Sequence, residues 1–350
     1  MIRKKRTPLS TQMTDKVKNG KIKKLEPEFN GNTETVISTG STLLDLAISG
    51  GRVKGGGIPG GILVEIFGPE SSGKTVLLCE IAGNIQRGGG DVMFHDPEAR
   101  LNKQFAQIFG LRIKDKDHST PNTIPEVFQA VRNWEPEKSI NIHGVFADSL
   151  AALSTDLEMD NDDGDKMGMR RAKEFSEELR KTCRILAKNN YLMVCSNQIR
   201  ESTDVSFGKK YHSPGGKAIG FYSSLRLRAM ETTKKTIPIK FAGKDVKRAI
   251  GVGTFFEVSK SSIWKPFRTA PVTILFDYGI DDIRENLQFI KDYTKANTYA
   301  VLGKNLDKSM ETSIKIIEAE GWEKKLKFQT IELWESIEEK FNSNRKTKVR

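Results

Sequence analysis

Cysteine and histidine are both scarce in this chain, with three and four residues in 350. Cys79, Cys183 and Cys195 sit in apolar stretches without metal-ligand spacing. Neither a disulfide scaffold nor a zinc site is expected, only buried thiols in a reducing compartment. No apolar run reaches the roughly 20 residues that cross a bilayer, and Met1-Ile2-Arg3-Lys4-Lys5-Arg6 lacks the apolar core of a secretory signal. A membrane partner is therefore not expected, and a cytoplasmic location is. Acidic residues are outnumbered, 45 against 57 Lys and Arg, for a net charge of +12. Such an excess favours a polyanionic partner. It gathers at the ends: residues 1–24 hold nine Lys/Arg and one acid, and the sequence finishes Asn344-Arg345-Lys346-Thr347-Lys348-Val349-Arg350. Basic tails also serve solubility alone, so composition raises nucleic acid as a partner without selecting it.

What is abundant is glycine in one informative place. Gly68-Pro69-Glu70-Ser71-Ser72-Gly73-Lys74-Thr75 fits the phosphate-binding pattern G-x-x-x-x-G-K-[ST]. Its glycines permit a turn whose backbone N–H groups cradle phosphate oxygens. Lys74 supplies a cation for the β/γ-phosphates, and the Thr75 hydroxyl is placed to hold Mg2+. The branched run Ile62 to Phe67 reads as a strand before it, and Leu77, Leu78, Ile81 and Ile85 mark an amphipathic helix after it, stopped at Gly88-Gly89-Gly90. Strand, loop and helix together predict binding of a nucleoside triphosphate.

Three regions follow from composition. Residues 1–34 form a basic arm with a short helix. Residues 35–281 alternate strand-like and helical segments, as in an α/β core with a mostly parallel sheet. Residues 282–350 read as a small mixed C-terminal domain with a basic tail. Within the core, strands are expected at 91–96, 140–147 and 191–196, and their polar endings matter because open α/β sheets bind ligands beyond the carboxyl ends of strands. Asp148 at such an end is either a Mg2+-holding carboxylate or a helix N-cap; beside a complete phosphate loop the metal role is favoured, with Ser149 as a further hydroxyl. Glu98 is the candidate general base for water. Two loops suit DNA: 157–168, acidic with Lys166, Arg170 and Arg171 at its far end, and 200–216, where Lys209 and Lys210 lie among Phe207 and Tyr211 before Gly215-Gly216.

Taken together these residues resemble the RecA recombinase family, and its bacterial-type branch in particular. The resemblance is carried by Gly68 to Thr75, Phe94-His95-Asp96-Pro97-Glu98-Ala99, Asp148-Ser149-Leu150, Asn197-Gln198-Ile199-Arg200, Gly215-Gly216-Lys217-Ala218, Phe221-Tyr222-Ser223-Ser224-Leu225-Arg226 and Lys265-Pro266-Phe267. It implies a RecA-like ATPase core and a DNA-dependent ATPase that forms helical homo-oligomeric filaments on single-stranded DNA and exchanges strands with a homologous duplex. By matched position it implies Glu98 as the catalytic glutamate, Gln198 as the nucleotide sensor, and Asn102 and Phe105 as adenine contacts for ATP. It also implies Met167, Arg170, Arg171 and Arg200 at DNA, Phe221 at the subunit interface, and Lys260 reaching across that interface to ATP.

Departures from the family pattern are specific. Ser262 stands at the second trans-acting lysine position, with Lys265 as a substitute. Thr203, Glu201 and Asp204 make the second loop less apolar and less basic, Arg52-Val53-Lys54-Gly55-Gly56 is an insertion, and the tail is basic where the family's is acidic. Two other readings share the fold: a hexameric helicase-type motor, and a weakly hydrolysing mediator paralogue.

Overall fold

The computed structural model describes residues 35–137, 142–155, 167–201, 211–212, 216–343 and 345. The N-terminal arm, most of the first loop (157–166), Phe207, Lys209, Lys210 and Gly215 of the second, and the tail apart from residue 345 lie outside the described residues.

Ten strands form one sheet: β1 (Leu63–Gly68), β2 (Val92–His95), β3 (His118–Ser119), β4 (His143–Ala147), β5 (Tyr191–Gln198), β6 (Leu225–Ala229), β7 (Thr233–Phe241), β8 (Lys244–Ser261), β9 (Thr269–Leu275) and β10 (Gly279–Ile280). Their order is β10-β9-β8-β6-β1-β5-β4-β2-β3, with β7 added along β8. From β6 to β3 every pairing is parallel, and the remainder is antiparallel. Strands 92–95 and 143–147 fall within the expected runs. The nine helices among the described residues are α1 (Thr42–Ser49), α2 (Lys74–Arg87), α3 (Lys103–Ile108), α4 (Ile124–Asn133), α5 (Met167–Asn189), α6 (Gly216–Tyr222), α7 (Asp282–Thr294), α8 (Met310–Glu320) and α9 (Glu323–Glu339).

Alternation along the central strands builds two apolar layers. Val64 and Ile66 of β1, Leu192 and Val194 of β5, and Phe146 of β4 pack beneath α1 and α2. Leu63, Met193, Cys195, Val145 and Ala147 face the opposite way, against α4 and α5. Cys79 and Cys195 are buried and Cys183 is half-buried, all as free thiols. A third apolar cluster, with Leu287, Ile290, Ile317 and Leu326, joins α7, α8 and α9.

The C-terminal helices are tied to the core. Thr42 donates from its backbone N and hydroxyl to Asp282, at 2.6 and 2.7 Å. Arg268 forks onto Glu338 at 2.9 and 2.5 Å, and Trp264 meets Trp334 with ring centroids 5.5 Å apart. The inserted segment is part of this joint: Lys54 pairs with Glu332 and lies over the Phe328 ring of α9. Gly56 has φ +65°, and a Cβ there would sit 2.0 Å from the Asp45 carbonyl oxygen, so this turn requires glycine.

Beneath the site, β1 and β6 share an ion pair between buried Glu65 and half-buried Arg226. Glu65 is wholly buried, accepts from Arg226 Nε at 2.6 Å and from Asn197 Nδ2 at 3.1 Å, and the guanidinium lies 4.3 Å from the Phe67 ring centroid. Removing one partner strands a buried charge, at a cost of about 3–5 kcal/mol, whereas replacing both by apolar groups is far milder. Arg226→Leu should therefore lose about that much in urea unfolding, and the double variant Glu65→Leu, Arg226→Leu should recover at least half of it. A double variant no more stable than the single one would contradict this.

Candidate functional site

Parallel register brings the strand ends level. Gly68 lies opposite Gln198, Ala147 opposite Cys195, and His95 opposite Ala147. The residues that follow, Pro69 to Thr75, Asp96 to Glu98, and Asp148 with Ser149, thus share the carboxyl edge of the sheet with Gln198.

The loop's shape explains its glycines. Ser71 and Gly73 have φ of 56° and 84°, and Gly73 starts α2 in the left-handed region. A Cβ on Gly73 would come within 2.3 Å of Ile274 Cδ1, and one on Gly68 within 2.6 Å of the Ala229 carbonyl oxygen. Lys74 folds back inside: its Nζ donates to the carbonyls of Gly68 at 3.1 Å and Pro69 at 2.5 Å. Burial holds this amine below the usual lysine range, against the opposing pull of Asp148, Glu70 and Glu98. Neutral carbonyls are weak partners for an ammonium ion, and a phosphate is a stronger one.

Asp148 is the hub of the edge. Its Oδ2 accepts from Thr75 Oγ1 at 2.5 Å and its Oδ1 accepts from Ser196 Oγ. Burial pushes its carboxyl above the ordinary range, and those two hydrogen bonds oppose the shift. It caps no helix, since the short turn Leu150–Ala152 is preceded by Ser149. Hydroxyl and carboxylate side by side are hard oxygen donors, the kind Mg2+ takes, so Thr75 and Asp148 fit the ion. Ser149 serves a different carboxylate: its Oγ donates to Glu98 Oε1 at 2.9 Å, while exposed Arg100 holds Oε2 at 2.8 Å. Arg100 was not legible as a site residue, because an arginine two positions from a loop glutamate carries no pattern of its own.

The other expected residues lie farther out. Asn102 starts α3, and its Oδ1 accepts from the backbone N of Gln104 at 2.7 Å and of Phe105 at 3.2 Å, so the carboxamide oxygen is engaged as a cap. Phe105 is partly exposed, with its ring edge-on to Phe109. Met167 opens α5, and Arg170 is exposed on its first turn, followed by half-buried Arg171. Gly216 opens α6, and Arg200 lies in the short strand Arg200–Glu201, paired with Tyr211–His212. Phe221 is 75% exposed. Beside it Lys260 Nζ donates to the carbonyls of Gly220 and Phe221, both at 2.8 Å, and burial together with Arg226 lowers its pKa. Ser262 donates to the Ser224 carbonyl, and Lys265 leans toward Glu338 of α9 at 3.9 Å.

A parallel sheet edge with a phosphate loop, a loop glutamate and a strand-end aspartate defines the class: an α/β protein built to hold a nucleotide phosphate chain. Comparison with known proteins gives the family. The RecA N-terminal domain model matches residues 8–281. The RecA protein of Thermus thermophilus is 36% identical over 250 residues, spanning 71% of this chain and 69% of its own. That of Symbiobacterium thermophilum is 34% identical over 261 residues, 75% and 70% of the two chains, and that of Phytoplasma mali 34% over 273 residues, 78% and 76%. Among solved structures, that of the RadB recombinase is similar with a TM-score of 0.47 at 19% identity, covering 70% of this chain and 98% of that one. The chain belongs to the RecA family. No helix among the described residues is long and apolar enough to cross a membrane.

His95, the last residue of β2, is a feature that the sequence did not single out. It is 2% exposed, its Nδ1 is 2.7 Å from Ser119 Oγ, and burial with neighbouring His118 pushes its pKa down to about 4 from 6.5. A depressed folded value means that the stabilisation is fully present above 6.5 and is lost as pH falls through about 4. The shift corresponds to about 3 kcal/mol. Buried Asp45, raised to about 6, titrates in the opposite sense, so a difference measurement is needed. Between pH 7 and pH 4, the unfolding free energy of His95→Gln should gain about 3 kcal/mol relative to the native chain; a difference independent of pH would refute the assignment.

Proposed function

We propose that this chain is a DNA-dependent ATPase and homologous recombinase, which assembles as a filament on single-stranded DNA and pairs it with a homologous duplex. The observation that carries the reading is the convergence of the phosphate loop, Glu98, Asp148 and Gln198 on one sheet edge, joined to the family membership.

In this reading the loop N–H groups of residues 69–75 and Lys74 bind the triphosphate, Lys74 exchanging the Gly68 and Pro69 carbonyls for phosphate oxygens. Thr75 and Asp148 hold Mg2+, which when bound neutralises charge on the β- and γ-phosphates. Glu98, held by Ser149 and Arg100, orients the attacking water and accepts its proton. Gln198 meets the terminal phosphate and is separated by one residue from the strand Arg200–Glu201 that enters the second DNA loop. The triphosphate state thereby orders that loop and the diphosphate state releases it. Phe221 and Lys260 belong to the surface that meets the next protomer, and Lys260 reaches its neighbour's nucleotide after leaving the α6 carbonyls.

A second reading, a mediator paralogue with weak hydrolysis, draws on the trans side: Ser262 carries no charge, and Lys265 is turned to Glu338. Hydrolysis with and without single-stranded DNA, alongside strand exchange, separates the two. For the recombinase, single-stranded DNA stimulates hydrolysis, Glu98→Gln lowers kcat about 10²–10⁴-fold, and Mg-ATP affinity stays within a few-fold. A native chain with no DNA stimulation would favour the mediator, and unchanged hydrolysis in Glu98→Gln would remove the catalytic assignment.

A further inference from the structure

Arg100 follows Glu98 on one tight turn. Buried Asp96 shapes that turn: its backbone carbonyl accepts from Ala99 N at 3.0 Å, and its Oδ2 accepts from Leu101 N at 2.7 Å. Ala99 is held in the left-handed region at φ 52°, uncommon for a residue with a Cβ and a conformation that clusters at functional sites. The chain turns back at Ala99, so the side chains on either side of it meet. Arg100 Nη1 lies 2.8 Å from Glu98 Oε2, and the arginine side chain is otherwise open, at 80% exposure. Leu101 anchors the far end of the turn against the apolar layer.

The guanidinium thus stands at the nucleotide edge with most of its donors unused. It carries N–H groups in a planar fork, and among the described residues Glu98 is its one ion-pair partner. Glu98 in turn is near enough to Lys74 and Asp148 to bias the charge of both, which puts Arg100 one carboxylate away from the place where phosphates bind. Cationic charge is needed there, because Lys74 is bordered by Glu70, Glu98 and Asp148. The trans side adds little: Lys260 is engaged by the α6 carbonyls, Ser262 is neutral and Lys265 is turned to Glu338. An exposed ion pair contributes little to stability, and Ser149 already holds the other oxygen of Glu98. Fixing the glutamate therefore does not by itself account for an arginine at this place.

We propose that Arg100 is a catalytic residue acting in cis: one edge of its fork stays on Glu98 while the other meets an oxygen of the terminal phosphate of ATP. A guanidinium suits this double contact, because its planar donors match carboxylate and phosphate alike. In hydrolysis the water oxygen bonds to the γ-phosphorus and passes one proton to Glu98. The bond to the β–γ bridging oxygen breaks, and its electron pair stays on ADP. In the transition state charge is spread over the oxygens of the transferring group, where a cation already in place stabilises it. By bridging the two, Arg100 also sets the distance between the base and the phosphorus. This role rests on the ATP hydrolysis proposed above.

The test uses the full chain and compares the native protein with Arg100→Ala, Arg100→Lys, Glu98→Gln and the double variant Glu98→Gln/Arg100→Ala. Two quantities are read: steady-state hydrolysis, and affinity for Mg-ADP with and without aluminium fluoride, a mimic of the transferring phosphoryl group. Arg100→Ala should lower kcat about 10²–10³-fold, bind Mg-ADP within twofold of the native chain, and lose at least tenfold of the affinity gained with the fluoride. Arg100→Lys, which keeps the charge without the fork, should fall between the two. The double variant should bind Mg-ADP with fluoride at least fivefold more weakly than Glu98→Gln alone. Equal affinity in those two variants would overturn the inference, because Arg100 would then act only through Glu98. So would an Arg100→Ala chain whose gain in affinity with the fluoride matches the native one. A native chain whose gain with the fluoride needs Arg100, but whose hydrolysis does not respond to single-stranded DNA, would support the residue's role and sink the recombinase reading.

Discussion

The carboxylate of Asp148 ties the first turn of α2 to the central strand β5, because Thr75 and Ser196 donate to its two oxygens. Burial makes a free charge there costly, and the hydroxyl donors offset part of that cost. The same contact fixes the Thr75 hydroxyl and the phosphate loop ahead of it. It depends in turn on parallel register: with Ala147 opposite Cys195 and Gly68 opposite Gln198, the next residues emerge at one edge. A slip of one residue would turn Val64, Ile66, Leu192 and Val194 away from their apolar layer, so core packing also holds the site in register.

A second constraint lies one layer below. Glu65 and Arg226 pair across β1 and β6, and Asn197 of β5 completes the network. β1, which leads into the phosphate loop, β5, which ends at Gln198, and β6, which pairs with β8 at Lys260, are thereby cross-linked by polar groups. Arg226 also contributes to the lowered pKa of Lys260, so that lysine and the Glu65–Arg226 pair are electrostatically coupled. In the proposed filament, this gives the nucleotide loop and the surface around Lys260 a short physical route between them.

Much of this was legible in the sequence because its signals are local. A glycine-framed loop between a branched strand and an amphipathic helix identifies itself, and polar residues at the ends of apolar runs pointed to Asp148 and Gln198. What was not legible depends on partners distant in sequence. Glu65 and Arg226 are 161 positions apart, and each alone reads as a solvated charge. The capping by Asn102, the carbonyl contacts of Lys260 and the transfer of Ser149 to Glu98 are choices among several hydrogen-bond partners that spacing does not rank. The insertion at residues 52–56 was visible, but its docking on α9 through Lys54 and Glu332 was not.

The central claim is that the phosphate bound at residues 68–75 sets affinity for single-stranded DNA through Gln198 and the loop that follows it. The most direct measurement is the Kd for a single-stranded oligonucleotide at fixed salt, with a non-hydrolysable ATP analogue and with ADP, for the native chain and Gln198→Ala. The account predicts at least tenfold tighter binding with the analogue in the native chain, a coupling of about 1.4 kcal/mol or more, and its loss in Gln198→Ala. Equal affinity in the two nucleotide states of the native chain would contradict it.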